Sequence, residues 1–168
     1  MLWRTSSKSP VHRRQQLALC RLSQHNRITV LLSKEDSIRA APDLVKQHDH
    51  RAYRHLRDGG RVITIGSNVA IRAGSAGVSA YQMSKGAVAA LVKGVAHDLA
   101  PRRGTVNNIQ PGAIGTDMIP DHGAAAGGTI LKRTGTPEEV AGLISYLARD
   151  EAAFVTGTGI TMDGSYVL

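Results

Sequence analysis

Tyr81-Gln82-Met83-Ser84-Lys85 opens a run that reads as one helix from about Ser79 to Ala100. Ala87, Val88, Leu91, Val92, Val95 and Leu99 recur at helical spacing and form its candidate buried face. Gly86, Ala87, Ala89, Ala90 and Gly94 keep the helix slim enough for a second helix to approach closely. Pro101 is expected to end it. Tyr81 and Lys85 lie one turn apart on one face. An ammonium beside a phenol favours the phenolate. A phenol so placed can give a proton to a carbonyl oxygen and take it back. Alone, the pair reads as a half-buried tyrosine beside a lysine, and the flanks reverse that reading.

Upstream, Gly59-Gly60 reads as a turn, and Arg61-Val62-Ile63-Thr64-Ile65 as a short buried parallel strand. Gly66-Ser67-Asn68 leaves its C-terminal end, the edge at which open α/β sheets bind ligands. Ala73 to Ser79 reads as a loop into the Tyr81 helix. Downstream, Thr105 to Ile109 is the next strand, and Pro111-Gly112 breaks away from it. Residues 117–134 are rich in Gly and Ala, lack a clear period, and read as a mobile cover over the site. Thr136 caps a helix with Pro137 at its first position and Glu138 and Glu139 in its first turn. That helix runs to about Arg149 on Val140, Leu143, Ile144 and Leu147. After a turn at Phe154-Val155-Thr156-Gly157, Gly159 to Met162 is the last strand.

In order and spacing, the motifs at Gly59–Ser67, Tyr81–Lys85, Val106–Thr116, Gly135–Ala141 and Phe154–Gly157 resemble the C-terminal half of the short-chain dehydrogenase/reductase family. The resemblance runs from about Ala52 to Leu168 and is nearest to beta-ketoacyl-carrier-protein-reductase-like enzymes. It implies an α/β fold, a partial Rossmann-type doubly wound parallel sheet with flanking helices. It implies an NAD(P)-dependent oxidoreductase moving a hydride between nicotinamide and a carbonyl or secondary alcohol. Ser67, fourteen residues before Tyr81, matches the family's catalytic serine, whose hydroxyl holds the substrate oxygen. Tyr81 matches the acid/base, and Lys85 the residue that tunes it and binds the nicotinamide ribose. Pro111, Gly112 and Thr116 match the segment that approaches the nicotinamide. Thr64 to Ser67 and Gln110 would line the cleft less specifically. The implied cofactor is NADP or NAD, the implied substrate a small carbonyl or alcohol, and the implied assembly a homo-oligomer through the Tyr81 helix.

Other family features are absent. No Gly-x-x-x-Gly-x-Gly occurs before Gly59, although that turn carries the dinucleotide pyrophosphate at a helix N-terminus. The family's Asn-Asn-Ala-Gly loop is missing too, and Asp163-Gly164-Ser165 stands where Asp-Gly-Gly is usual. A truncated, non-catalytic family member, either an inactive fragment or a regulatory or structural dimer partner, is therefore the alternative function. With that turn missing, the chain alone is expected to bind nicotinamide dinucleotide weakly or not at all.

Composition divides the chain in two. Residues 1–51 hold ten Lys/Arg against four Asp/Glu, and residues 52–168 hold eleven against nine. The formal +8 thus belongs mostly to a basic N-terminal segment, and the remainder gives no sign of nucleic-acid binding. Residues 1–34 carry seven Lys/Arg and no acid, which fits a transit peptide, a disordered arm or sequence foreign to the family, the last being our reading. Residues 1–25 are expected not to pack on the domain. Cys20 is the only cysteine, as in a reducing compartment, and no apolar run approaches bilayer length, so a cytoplasmic protein without membrane contact is expected. His48, His50 and His55 read as solvated surface, and no metal is expected. Residues 34–57 read as one or two polar helices. Ile28-Thr29-Val30-Leu31-Leu32 is the only upstream β-branched apolar run. It is expected to dock in parallel beside Arg61–Ile65, covering an otherwise bare edge, with residues 33–58 forming the crossover.

Overall fold

The computed structural model describes residues 28–31, 56–117, 119 and 122–166. Four parallel strands form one sheet: β1 (Ile28–Leu31), β2 (Arg61–Ile65), β3 (Thr105–Pro111) and β4 (Gly159–Met162), in the order β1-β2-β3-β4. Among the described residues three α-helices accompany them: α1 (Ser79–Leu99), α2 (His122–Gly127) and α3 (Pro137–Leu147). The expected substitute strand is present. β1 pairs with β2 in parallel, Ile28 opposite Arg61 through Leu31 opposite Thr64, so the backbone groups of β2 have partners on both sides. Residues 1–25, His48, His50, His55 and the crossover as far as residue 55 lie outside the described residues.

The alternation of side chains along a strand separates two apolar clusters. Val62 and Val106 meet Val92, Val95, Ala96 and Leu99 of α1 on one face. Ile63 and Ile109 meet Ile144 and Leu147 of α3 on the other. Each fully buried Val, Leu or Ile contributes up to about 1.5–3 kcal/mol of transfer free energy.

Several boundaries differ from the sequence reading. β3 runs on to Pro111, because β4 pairs with it through Met162 opposite Pro111. α1 gives way to a 3-10 turn over Ala100–Arg102 before Arg103 takes a left-handed conformation. Ala87 is exposed rather than buried, and a Cβ on Gly86 or Gly94 would meet open space, so the slim stripe faces away from the described core. Residues 122–127 form the short α2 within what read as an irregular cover.

The start of α3 follows its sequence. Thr136 and Glu139 form a reciprocal capping box, and Arg133 grips Glu139 through both guanidinium NH groups, at 2.9 and 2.6 Å. The Arg133 hydrogen bonds and the Thr136 N–H hold the Glu139 carboxyl down at about 2 against an ordinary 4.5. A depressed carboxylate stabilises the fold above its unfolded value and loses that contribution as pH falls through its folded value. Glu139→Gln should therefore be less stable than the parent near neutrality, with the gap closing between about pH 4.5 and 2. Urea midpoints at stepped pH check this, and a gap constant across that window would contradict it.

Candidate active site

The site is built at the C-terminal edge of the sheet. β2 ends at Ile65, and Gly66 follows, its N–H donating to Ile109 O at 2.7 Å. A side chain at Gly66 would strike the Asn108 carboxamide, at 2.6 Å from its oxygen, so only glycine turns the chain here. Asn108 is itself buried beneath it and accepts from the Thr64 hydroxyl at 3.0 Å. Ser67 is extended and caps a 3-10 turn over Asn68–Ala70, its Oγ accepting from Val69 N–H at 3.3 Å. α1 packs against this turn.

Tyr81 and Lys85 share one face of α1, as their spacing requires. Tyr81 is half-buried, whereas Lys85 is 3% exposed. Burying an ammonium is costly unless it is paired. Here Lys85 Nζ donates to Ile65 O at 3.3 Å and stands 5.7 Å from the centre of the Tyr81 ring. Lys85 thus ties the first turns of the helix to the strand end two residues before Ser67.

Pro111 closes β3, and Gly112 N–H donates to Met162 O at 2.9 Å. A Cβ on Gly112 would lie 2.5 Å from Asp163 Cβ and 3.3 Å from Asn68 Nδ2. The need for glycine at 112 is thus met within the protein, by the close passage of Asp163. Thr116 is half-buried, and its carbonyl accepts from Ile119 N–H. The chain between Thr116 and α3 is pinned where Ile114 bridges Gly135. Beside this bridge lies a pocket of about 180 Å³ lined by Ile114, Leu131, Met162, Asp163 and Gly164, with the Arg133–Glu139 pair at its wall. Gln110 is buried and accepts from the Thr161 hydroxyl at 3.3 Å.

Sequence reasoning passed over Asn68 and Asp163. Asn68 Nδ2 donates to Asp163 Oδ2 at 3.2 Å across 95 positions of chain. The one local hint was the Asp-Gly-Ser turn, in which Ser165 N–H donates back to Asp163 Oδ1. Among the described residues no three His, Cys, Asp or Glu are grouped to hold a metal, and no helix is long and apolar enough to cross a membrane.

Residues 45–166 match the family model described as Enoyl-(Acyl carrier protein) reductase. The cyclic-di-GMP-binding biofilm dispersal mediator protein of Escherichia coli is 43% identical over 119 residues, covering 68% of this chain and 50% of that protein. Versicolorin reductase 1 of Aspergillus parasiticus is 39% identical over 130 residues, covering 67% and 50%. A short chain dehydrogenase from Burkholderia cenocepacia, solved in complex with NADP, superposes with a TM-score of 0.74 at 30% identity, covering 95% of this chain and 74% of that one. The chain spans about half the length of the curated relatives it matches.

Proposed function

The chain belongs to the short-chain dehydrogenase/reductase family, and from that premise we propose that residues 52–168 are the catalytic half of an NAD(P)-dependent carbonyl reductase or alcohol dehydrogenase. The observation that carries this reading is the buried Lys85 ammonium, held between the end of β2 and the Tyr81 ring. Burying that ammonium is costly even with Ile65 O as an acceptor, and service to the Tyr81 phenol would account for it.

The donor set fits the nicotinamide end of a dinucleotide. The Lys85 ammonium and the Tyr81 hydroxyl are the kinds of donor that a ribose diol accepts from, and Lys85 Nζ reaches the end of β2 at Ile65 O. Thr116, beyond Pro111 and Gly112, would offer a hydroxyl to the carboxamide. A bound nicotinamide supplies the hydride. Tyr81 would donate a proton from Oη to the carbonyl oxygen in reduction and recover it in oxidation. Ser67 Oγ would hold that same oxygen. Lys85 would stabilise the phenolate left behind. At the pyrophosphate end the fit is poorer, since no Gly-x-x-x-Gly-x-Gly occurs in the sequence.

The exposed outward side of α1 favours a second reading, a non-catalytic family member that pairs with another copy through that helix. The outward side of that helix carries Met83, Ala87, Ala90 and Gly94, all exposed in the single chain. Titration calorimetry with NADPH and NADH, followed by turnover of a panel of ketones, separates the two. We expect dissociation constants weaker than about 10 μM for the isolated chain, because half of the dinucleotide would lack its helix N-terminus. Micromolar or tighter binding would overturn that expectation, and ketone-dependent NAD(P)H oxidation would exclude the non-catalytic reading.

A further inference from the structure

Ser67 does not stand alone at the end of β2. Its Oγ lies 3.5 Å from Asn68 Oδ1, with the hydroxyl as donor. Asn68 is 6% exposed, so its carboxamide cannot turn to water. Its Nδ2 donates to Asp163 Oδ2 at 3.2 Å, and Asp163 Oδ1 is taken by Ser165 N–H at 3.0 Å. A carboxylate only accepts hydrogen bonds, so it fixes which end of the Asn68 amide faces it. The NH2 must point to Asp163, and the oxygen is then turned to Ser67. The backbone of Gly112 passes so close that a Cβ there would touch both Asn68 and Asp163, which closes off other rotamers.

We propose that Asn68 and Asp163 are positioning residues for Ser67: Asp163 sets the face of the Asn68 carboxamide, and the carboxamide oxygen holds the Ser67 hydroxyl. This rests on the reading of Ser67 as the group that meets substrate oxygen. The consequence is directional. With its proton given to Asn68 and one lone pair given to Val69 N–H, Ser67 Oγ keeps acceptor capacity for a substrate hydroxyl. A carbonyl substrate has to draw the Ser67 proton away from Asn68. The pair therefore tunes how Ser67 treats the two sides of the reaction, without touching either.

The test uses the whole chain and three variants: Asn68→Asp, Asp163→Asn, and the exchange of the two residues in one protein. Asn68→Asp sets two carboxylates against each other. Asp163→Asn is nearly isosteric and removes only the charge that orients the amide, so it serves if the first variant fails to fold. The exchange restores one carboxylate and one amide. It keeps an acceptor toward Ser67. The primary readout is hydrogen exchange at the Val69 amide, which reports Ser67 Oγ directly and needs no activity. Each single variant should speed Val69 exchange by about tenfold, while Ile144 and Leu147 amides in α3 stay as they were. The exchange variant should return Val69 to within about twofold of the parent. Unchanged Val69 exchange in both single variants, or no recovery in the exchange variant, overturns the proposal. In parallel, the ratio of kcat for alcohol oxidation to kcat for ketone reduction should fall about tenfold in Asp163→Asn with the cofactor KM unchanged, and recover in the exchange variant. A parent that turns over no ketone defeats the oxidoreductase reading, while Val69 still decides the positioning role.

Discussion

Tyr81→Phe should lower ketone turnover by about 10²–10⁴-fold, the range of a lost general acid, with little change in thermal midpoint. The substitution removes one hydroxyl and keeps the ring. The contact between that ring and Lys85 Nζ, at 5.7 Å, therefore survives, and so does the Lys85 bond to Ile65 O. Tyr81 is only half-buried, so the lost hydroxyl leaves no sealed cavity. Lys85→Ala makes the contrasting case. It removes the ammonium and also releases a buried strip of α1 from the end of β2. Both activity and stability should then fall. Loss of NAD(P)H absorbance with a ketone panel, beside melting curves for each variant, checks the pair of outcomes. Retention of more than about a tenth of the parent rate in Tyr81→Phe would remove Tyr81 from the role of acid/base.

The largest effect on stability is expected at Leu147. It is 0% exposed and packs with Ile63, Ile109 and Ile144 on the face of the sheet that α3 covers. Leu147→Ala should cost about 2–5 kcal/mol, the lost transfer energy plus the cavity that a close-packed cluster cannot refill. Urea denaturation would show it as a lower midpoint at unchanged slope. A cost below about 1 kcal/mol would mean that the cluster collapses onto the gap or that α3 is loosely held. Tyr146, next along the chain but exposed, is the matched control.

The elements carrying strong local signals were legible in the sequence. Thr136, Pro137 and Glu139 fix the start of α3 within one turn, and the structure shows the full capping box. Val88, Val92, Val95 and Leu99 mark the buried side of α1 because helix geometry leaves them no other common direction. Ile28 to Leu31 was readable as a strand, since an unpaired β2 needs a neighbour and only that run was suited to it. α2 was not legible, because a Gly- and Ala-rich stretch carries no apolar period to betray a helix. Arg61 was read within a buried strand, but its partners were not legible: it is buried, donating to Gly59 O at 2.6 Å and to the exposed Asp150 at 3.3 Å. Tyr81 and Lys85 could be paired because they are one turn apart. Asn68 and Asp163 could not, because nothing but the folded sheet brings them together.

The two apolar clusters lie on opposite faces of a sheet whose strands follow one another in chain order. Two successive crossovers that step the same way while passing over opposite faces have opposite handedness. Nearly all parallel crossovers are right-handed, because strand twist feeds the chain that way. One of these two is therefore left-handed. A step against the twist needs slack, and the surplus chain lies between Gly112 and Thr136, not between Gly66 and Val78. Thr116, α2 and the wall of the pocket are all carried on that slack. The length of the Gly112–Thr136 connection thus serves the winding of the sheet, and shortening it would strain that winding before it reshaped the pocket wall.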